Sequence, residues 1–396
     1  MKDWFRFVSK NKRLLNFGFL FNFFSSFGQT FFISLFVPFW ITSFEISNAS
    51  FGVLYASVTI ISAGLLSISG RFIDNMSLRK FGFIVFTGLI LSTILLSQAN
   101  TLFVLMIGLL LVRFFGQGLM THTAATGVAV YFDTNRGKAL GFTALGNPAG
   151  QFFLPLLVVP LIAFTGWQYS LLYLVVLALV VVLPTIWAIG NSGTYGVTTI
   201  TNSNKAVPKE RYLKSLQFWL IASNIFVIPF IGTAVFLYQF TIGQSKGWDA
   251  AWVGFSFAFF AVFSAASLLF SGNLVDRYSG IKLFPLYLVP TVLALVVIAI
   301  MDHKWVFPLF YALLGISSGL GSTVKTAMQI EVYGKSNLGK IRSYFSTMLV
   351  LSTALGPPVF GYFIDHNFSF SSIMLVTAGI VLGIIILSFK LSPKVR

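Results

Sequence analysis

One arginine stands alone inside a long apolar run. Arg113 follows L-F-V-L-M-I-G-L-L-L-V and precedes F-F-G-Q-G-L-M. Gln117 and Thr121 come four and eight residues later, so on a helix the three share one face. A guanidinium is always charged, and its fork of donors matches the two oxygens of a carboxylate. A second polar face is Asn22, Ser25 and Gln29, spaced by three and four. These groups offer hydrogen bonds around a fixed positive charge. Other chemistries lack their residues. There is no cysteine, hence no disulfide, thiol nucleophile or thiolate metal ligand. His122, His303 and His366 lie far apart, and no metal-ligand spacing or Walker A pattern occurs. No metal and no cofactor is expected, and no set of convergent acids, bases and nucleophiles suggests an enzyme. All 10 acidic residues fall in loops, termini or span ends. No mid-membrane carboxylate is therefore present to take up a proton or a cation.

The elements that must hold these groups follow from composition. Of 396 residues, 57% are hydrophobic and 9% are charged. Mean hydropathy is +0.88. A soluble domain carries about 25% charged residues, so this chain has too little charge to coat a water-facing surface. A helix needs ~20 mostly apolar residues to cross the hydrocarbon core. The runs here are continuous rather than alternating, which predicts helices and not barrel strands. Twelve spans are expected, near 14–41, 51–73, 81–98, 102–126, 139–163 and 168–189, then 216–240, 251–273, 283–301, 305–330, 341–364 and 370–389. The fold class is thus all-α and integral to the membrane. The basic N-terminus leads into nearly thirty apolar residues without a small-residue cleavage site, and is read as the first span rather than a leader. Residues 191–215 form the one long polar stretch and read as a linker between an N-terminal half, 1–190, and a C-terminal half, 216–396.

Charge orients the chain. With the N-terminus in the cytoplasm, the inner loops and both termini hold 22 of the 26 Lys and Arg, and the outer loops hold two. That is a positive-inside distribution, with basic residues facing an anionic leaflet. It accounts for the net charge of +16 without nucleic acid as a partner. Short loops and tails fit the inner membrane of a prokaryote, with both termini cytoplasmic. A monomer is expected.

The halves repeat with one ungapped shift. Gly52 and Gly254, Asp74 and Asp276, Lys80 and Lys282, Tyr131 and Tyr333, and Pro155 and Pro357 all differ by 202 positions. Asn22 and Asn224 obey the same shift. Parallel six-helix repeats describe a transporter architecture, with a solute site near the midplane and alternating access by rocking of the halves.

The loop after span 2, G-R-F-I-D-N-M-S-L-R-K from Gly70, resembles the helix 2–3 motif of the major facilitator superfamily. Its second copy, G-N-L-V-D-R-Y-S-G-I-K from Gly272, resembles it more closely, because Arg277 follows the acid where the first copy has Asn75. R-F-F-G-Q-G from Arg113 and G-N-P-A-G from Gly146 resemble the helix 4 and helix 5 motifs. Y-F-D-T-N-R-G-K-A-L-G from Tyr131 is similar to the helix 4–5 loop of monocarboxylate and oxalate/formate carriers, although span 8 has no basic residue of the kind those carriers place there. The resemblance implies a secondary carrier. It implies gating at the inner helix ends by Asp74, Arg79, Lys80, Asp276, Arg277 and Lys282, and a cavity lined by helices 1, 4, 7 and 10.

On those helices the expected solute contacts are Arg113, Gln117, Gln29, Asn22, Asn224 and Tyr238, with His122 as the candidate proton site. Tyr238 also suits an interfacial anchor, and Asn22 and Asn224 also suit cross-links between helices. Pro229 and Gly232 are expected to weaken span 7. Lys325 is expected to snorkel toward the inner surface. An intramembrane arginine costs at least ~2.5 kcal/mol and marks a functional position by default. The lone buried cation favours a small organic anion, a carboxylate, as solute, with protons as the candidate coupling ion. The alternative is an exporter of neutral or amphipathic drug-like molecules.

Overall fold

The computed structural model describes residues 2–69, 73, 76–132, 135–189, 212–334 and 338–391. These residues are helical almost throughout. Ten helices are long and apolar enough to cross a membrane. One of them, residues 137–188, runs to 52 residues and breaks at Gly166, whose φ of 78° and ψ of 164° interrupt the helix, so it carries two spans. A further span is broken into short pieces. Together they make the twelve spans of the repeat.

In the first half, α1 (Lys2–Lys10) precedes a span made of α2 (Lys12–Phe24), a 3-10 turn (Ser25–Gly28), α3 (Thr30–Ile33) and α4 (Val37–Ser43). Then come α5 (Asn48–Ser69), α6 (Leu78–Ser97), and a fourth span of α7 (Leu102–Val112), a π-helical stretch (Arg113–Met120) and α8 (Thr121–Tyr131). The fifth and sixth spans are carried by α9 (Arg136–Ala144) and α10 (Gly146–Ala188) together and divide at Gly166 within α10. The second half holds α11 (Leu216–Leu237), α12 (Gln239–Ser245), α13 (Ala250–Tyr278), α14 (Gly280–Leu283) and α15 (Val289–Ile300). It ends with α16 (Val306–Tyr333), α17 (Leu338–Asp365) and α18 (Phe370–Ser388).

Span starts are set by side chains that accept from the orphan amides of the first turn. Ser77 accepts from Lys80, Thr101 from Val104, Asp249 from Trp252 and Ser369 from Ser372. Apolar side chains also point outward in number: Phe164 is 87% exposed and Leu269 79%. Water would penalise such a surface, whereas lipid tails are its natural solvent.

Contacts divide the chain into two compact units: Met1–Glu45 with Ser57–Ile200, and Ile46–Ala56 with Thr201–Arg396. The start of α5 therefore clusters with the second unit. The first unit's core is a ladder of rings, including Phe17–Phe21 at 4.1 Å, Phe27–Phe32 at 4.8 Å and Trp40–Trp167 at 6.2 Å between centroids. The second unit has its own aromatic core, with Phe236–Phe260 at 4.9 Å and Phe307–Tyr311 at 4.8 Å. Within it the Tyr311 hydroxyl donates to Gln239 Oε1 at 2.7 Å, so a buried phenol is satisfied.

Helix α11 runs as one element through Pro229 and Gly232, and stops only at Leu237. Span 1, with no proline before Pro38, is the span that breaks.

Candidate functional site

The break in span 1 grows from Ser25-Ser26-Phe27-Gly28. Serines and glycine are poor helix interiors, and a serine hydroxyl competes for nearby carbonyls. Ser25 Oγ donates to the Asn22 carbonyl at 2.7 Å. Past Gly28 the backbone leaves the helix at Gln29, with φ −82° and ψ 150°. The Phe32 and Ile33 amides both bond the Gln29 carbonyl, at 3.2 and 3.0 Å. The Gly28 carbonyl is thereby released from the helical ladder.

Opposite this break span 4 is itself irregular. A π-helical stretch inside an α-helix is uncommon and recurs at functional sites. Here it starts at Arg113 and includes Gly116 and Gly118. The two backbones meet directly. A Cβ on Gly28 would lie 2.5 Å from the Gln117 nitrogen and 2.5 Å from the Val112 carbonyl oxygen. A Cβ on Gly116 would lie 2.8 Å from the Gly28 nitrogen. Only glycine fits at either position, and that close approach lets Arg113 reach the released carbonyl. Arg113 is 4% exposed, and its Nη1 donates to the Gly28 oxygen at 3.4 Å. That distance is long for an N–H···O bond, so this tie is a weak one.

Gln29 and Gln117 flank this contact and are both half-buried. Thr121, the third residue of the expected stripe, turns its hydroxyl back to the Gly118 carbonyl at 2.9 Å. The structure thus gathers Arg113, Gln117 and Gln29 at one level of the first unit.

The remaining expected residues make contacts within their own units. Asn22 Nδ2 donates to the Thr143 carbonyl at 2.9 Å, tying span 1 to span 5. Asn224 is fully buried and donates to Ser388 Oγ at 3.0 Å, tying span 7 to span 12. Both asparagines act as cross-links. The buried Tyr238 has its hydroxyl 2.7 Å from the Asn48 carbonyl and 3.1 Å from that of Pro357. His122 is half-buried in α8. Lys325 is half-buried, with Nζ 6.0 Å from the centre of the Tyr287 ring.

Of the gating set, Asp74 lies outside the described residues, as does 190–211 of the linker. The Arg79 guanidinium sits 4.6 Å from the centre of the Trp187 ring. Lys80, Asp276, Arg277 and Lys282 are exposed.

Two carboxylates that sequence reasoning did not select hold helix starts. Glu331, at the end of α16, accepts from the Gly280 and Ile281 amides at 2.6 and 2.9 Å. Asp365, at the end of α17, accepts from the Asn48 and Ala49 amides at 3.1 and 2.7 Å and from Asn48 Nδ2 at 2.9 Å. Each cap joins residues far apart in the chain, so no local spacing announces it. Among the described residues no cluster of three or more His, Cys, Asp or Glu could hold a metal.

The family model described as Major Facilitator Superfamily matches residues 18–301 and 220–396. Among solved structures, a mutant of the nucleoside transporter NupG is similar with a TM-score of 0.78, at 13% identity, over 95% of this chain and 98% of that one. A bacterial homologue of the human lysosomal transporter Spinster, inward-facing and occupied, is similar with a TM-score of 0.66, at 13% identity, over 96% and 94%. At such identities the likeness speaks to fold alone. No protein of curated function matches the chain in sequence.

Proposed function

For a chain that belongs to the major facilitator superfamily and works as a secondary carrier, we propose a small organic anion of the carboxylate class as the solute. The observation that carries this reading is Arg113, buried in a π-helical stretch against the break in span 1. A fixed cation in a low-dielectric setting attracts an anion far more strongly than it would in water. Released backbone and a helix break at membrane depth are arrangements that suit solute binding. In this reading Gln29 and Gln117 give the amide hydrogen bonds that orient the solute, and Arg113 supplies the charge. Asn22 braces span 1, which carries Gln29, while Asn224 and Tyr238 brace helices of the second unit.

The basic inner loops put both termini on the cytoplasmic side of a prokaryotic inner membrane. Asp74, Arg79, Lys80, Asp276, Arg277 and Lys282 form the inner gate, which must reopen in every cycle. Exposed charge pairings of about 0.3–1 kcal/mol suit that task. His122 is the candidate proton site.

A second reading has its own support. Arg113 bonds a backbone carbonyl of span 1, as a purely structural tie would. The solute would then be neutral or amphipathic, as a nucleoside is, the solute named for the similar NupG structure. Uptake of radiolabelled carboxylates and of nucleosides into proteoliposomes, with and without a pH gradient, separates the two. Saturable carboxylate uptake that vanishes in Arg113→Gln supports the first reading. Nucleoside uptake that survives the same substitution, without carboxylate uptake, supports the second.

A further inference from the structure

A cavity of about 320 Å³ opens where the N-terminal helix meets span 1. Lys10, Lys12 and Arg13 line it, together with Ser9, Tyr131 and Ile189. None of the described lining residues is acidic. Its walls come from α1, from the start of α2 and from the inner ends of spans 4 and 6, all in the first unit. Three exposed cations converge on one recess, where they repel one another, and none of its described lining residues carries a negative charge.

The local structure holds this arrangement in place. The Asn11 side chain is the residue positioned to cap α2, yet its Nδ2 donates backwards to the Phe7 carbonyl at 2.9 Å. The side chain is thereby turned back onto α1, and the first turn of α2 carries two cations and no acid. A positive helix end beside positive side chains is unfavourable without an anion nearby. On the other side, Phe7 packs on the buried Phe132 with ring centroids 5.4 Å apart. That contact docks α1 onto the end of span 4. Arg6 and Lys10, one helical turn apart, share a face of α1.

We propose that this recess binds the phosphate of an anionic phospholipid headgroup. The chemistry is three cations around a phosphodiester, beside two apolar walls, Tyr131 and Ile189, that suit the glycerol and upper acyl chain. It lies at the membrane end that the charge distribution assigns to the anionic leaflet. The site is independent of which solute is carried.

The test uses the full-length protein in nanodiscs of phosphatidylcholine with graded phosphatidylglycerol, read by thermal unfolding and by the lipid retained in native mass spectrometry. Inorganic phosphate is titrated in a parallel arm. The triple variant Lys10→Gln, Lys12→Gln, Arg13→Gln is set against an equal-charge control at the same end, Lys138→Gln, Lys214→Gln, Lys390→Gln. Phosphatidylglycerol should raise the unfolding temperature of the native protein. Its apparent affinity should fall about a hundredfold in the site triple, at roughly one interfacial charge's worth per residue, and far less in the control. An equal fall in both triples, or no response to phosphatidylglycerol, overturns the proposal. Stabilisation by inorganic phosphate with no retained lipid overturns the lipid assignment.

Discussion

The shift of 202 residues that relates the halves brings two unlike regions into register. Arg113 and Gln117 of span 4 correspond to Gly315 and Gly319 of span 10, and Gly28 of span 1 corresponds to Phe230 of span 7. In the second unit the two glycines form a G-x-x-x-G step on α16. A Cβ on Gly315 would lie 2.6 Å from the Phe260 carbonyl of α13, so the helices pack backbone against backbone. In the first unit the same register carries a buried guanidinium and an amide on a π-helical stretch, and span 1 breaks to meet them. Where Gly28 lets two backbones touch, its counterpart Phe230 packs its ring near Phe226 and near Phe360 of α17, at 5.5 and 6.0 Å between centroids. One repeat has given its register to packing and the other to polarity. In the proposed function the charged solute contact accordingly belongs to the first half.

The harshest way to break the comparison is to force one half's residue onto the other. Gly315→Arg has no room beside the α13 backbone. It should destabilise the protein by about 3 kcal/mol or more, or prevent folding, in detergent unfolding assays. A well-folded variant with normal unfolding would show that the two registers are interchangeable after all. Gly28→Ala places a methyl against the Gln117 nitrogen and the Val112 carbonyl. A loss of about 1–3 kcal/mol is expected, along with most of the uptake, because the break and the π-helical stretch must separate. Unchanged uptake would mean that this close approach does not shape the site.

The matched asparagines sharpen the comparison at smaller cost. Asn224 is fully buried and holds Ser388, so Asn224→Ala should cost about 1–2 kcal/mol. Asn22 is half-buried, so Asn22→Ala should cost nearer 0.6 kcal/mol. Both variants should keep the native KM for solute, since both residues act as cross-links. A raised KM in either would return that asparagine to the solute site.

The twelve spans were readable because each is a continuous apolar run of the length a bilayer demands. The shift of 202 was readable because Asp, Lys and Pro keep it without a gap. Breaks inside spans were not. Proline and glycine mark where a helix is weakened, yet α11 continues as one helix through Pro229. Span 1 breaks at Gln29 because a π-helical partner and two glycines let the backbones meet, which depends on residues about eighty-five positions apart. Arg113, Gln117 and Gln29 could be picked out because polar groups in apolar runs stand out. Glu331 and Asp365 could not, because a carboxylate at a span end looks the same in sequence whether it caps a distant helix or faces water.

In the proposed function, the positive charge at Arg113 reads an anionic solute. The most direct test is carboxylate uptake into proteoliposomes by native protein, Arg113→Gln and Arg113→Lys, with folding checked by unfolding temperature. Loss of a charged hydrogen-bonding group from a solute contact should lower uptake by roughly ten- to a hundredfold in Arg113→Gln. Arg113→Lys should keep part of it, since the charge remains and the fork is lost. Full carboxylate uptake by a folded Arg113→Gln protein would contradict the account and leave Arg113 as a tie between spans 1 and 4.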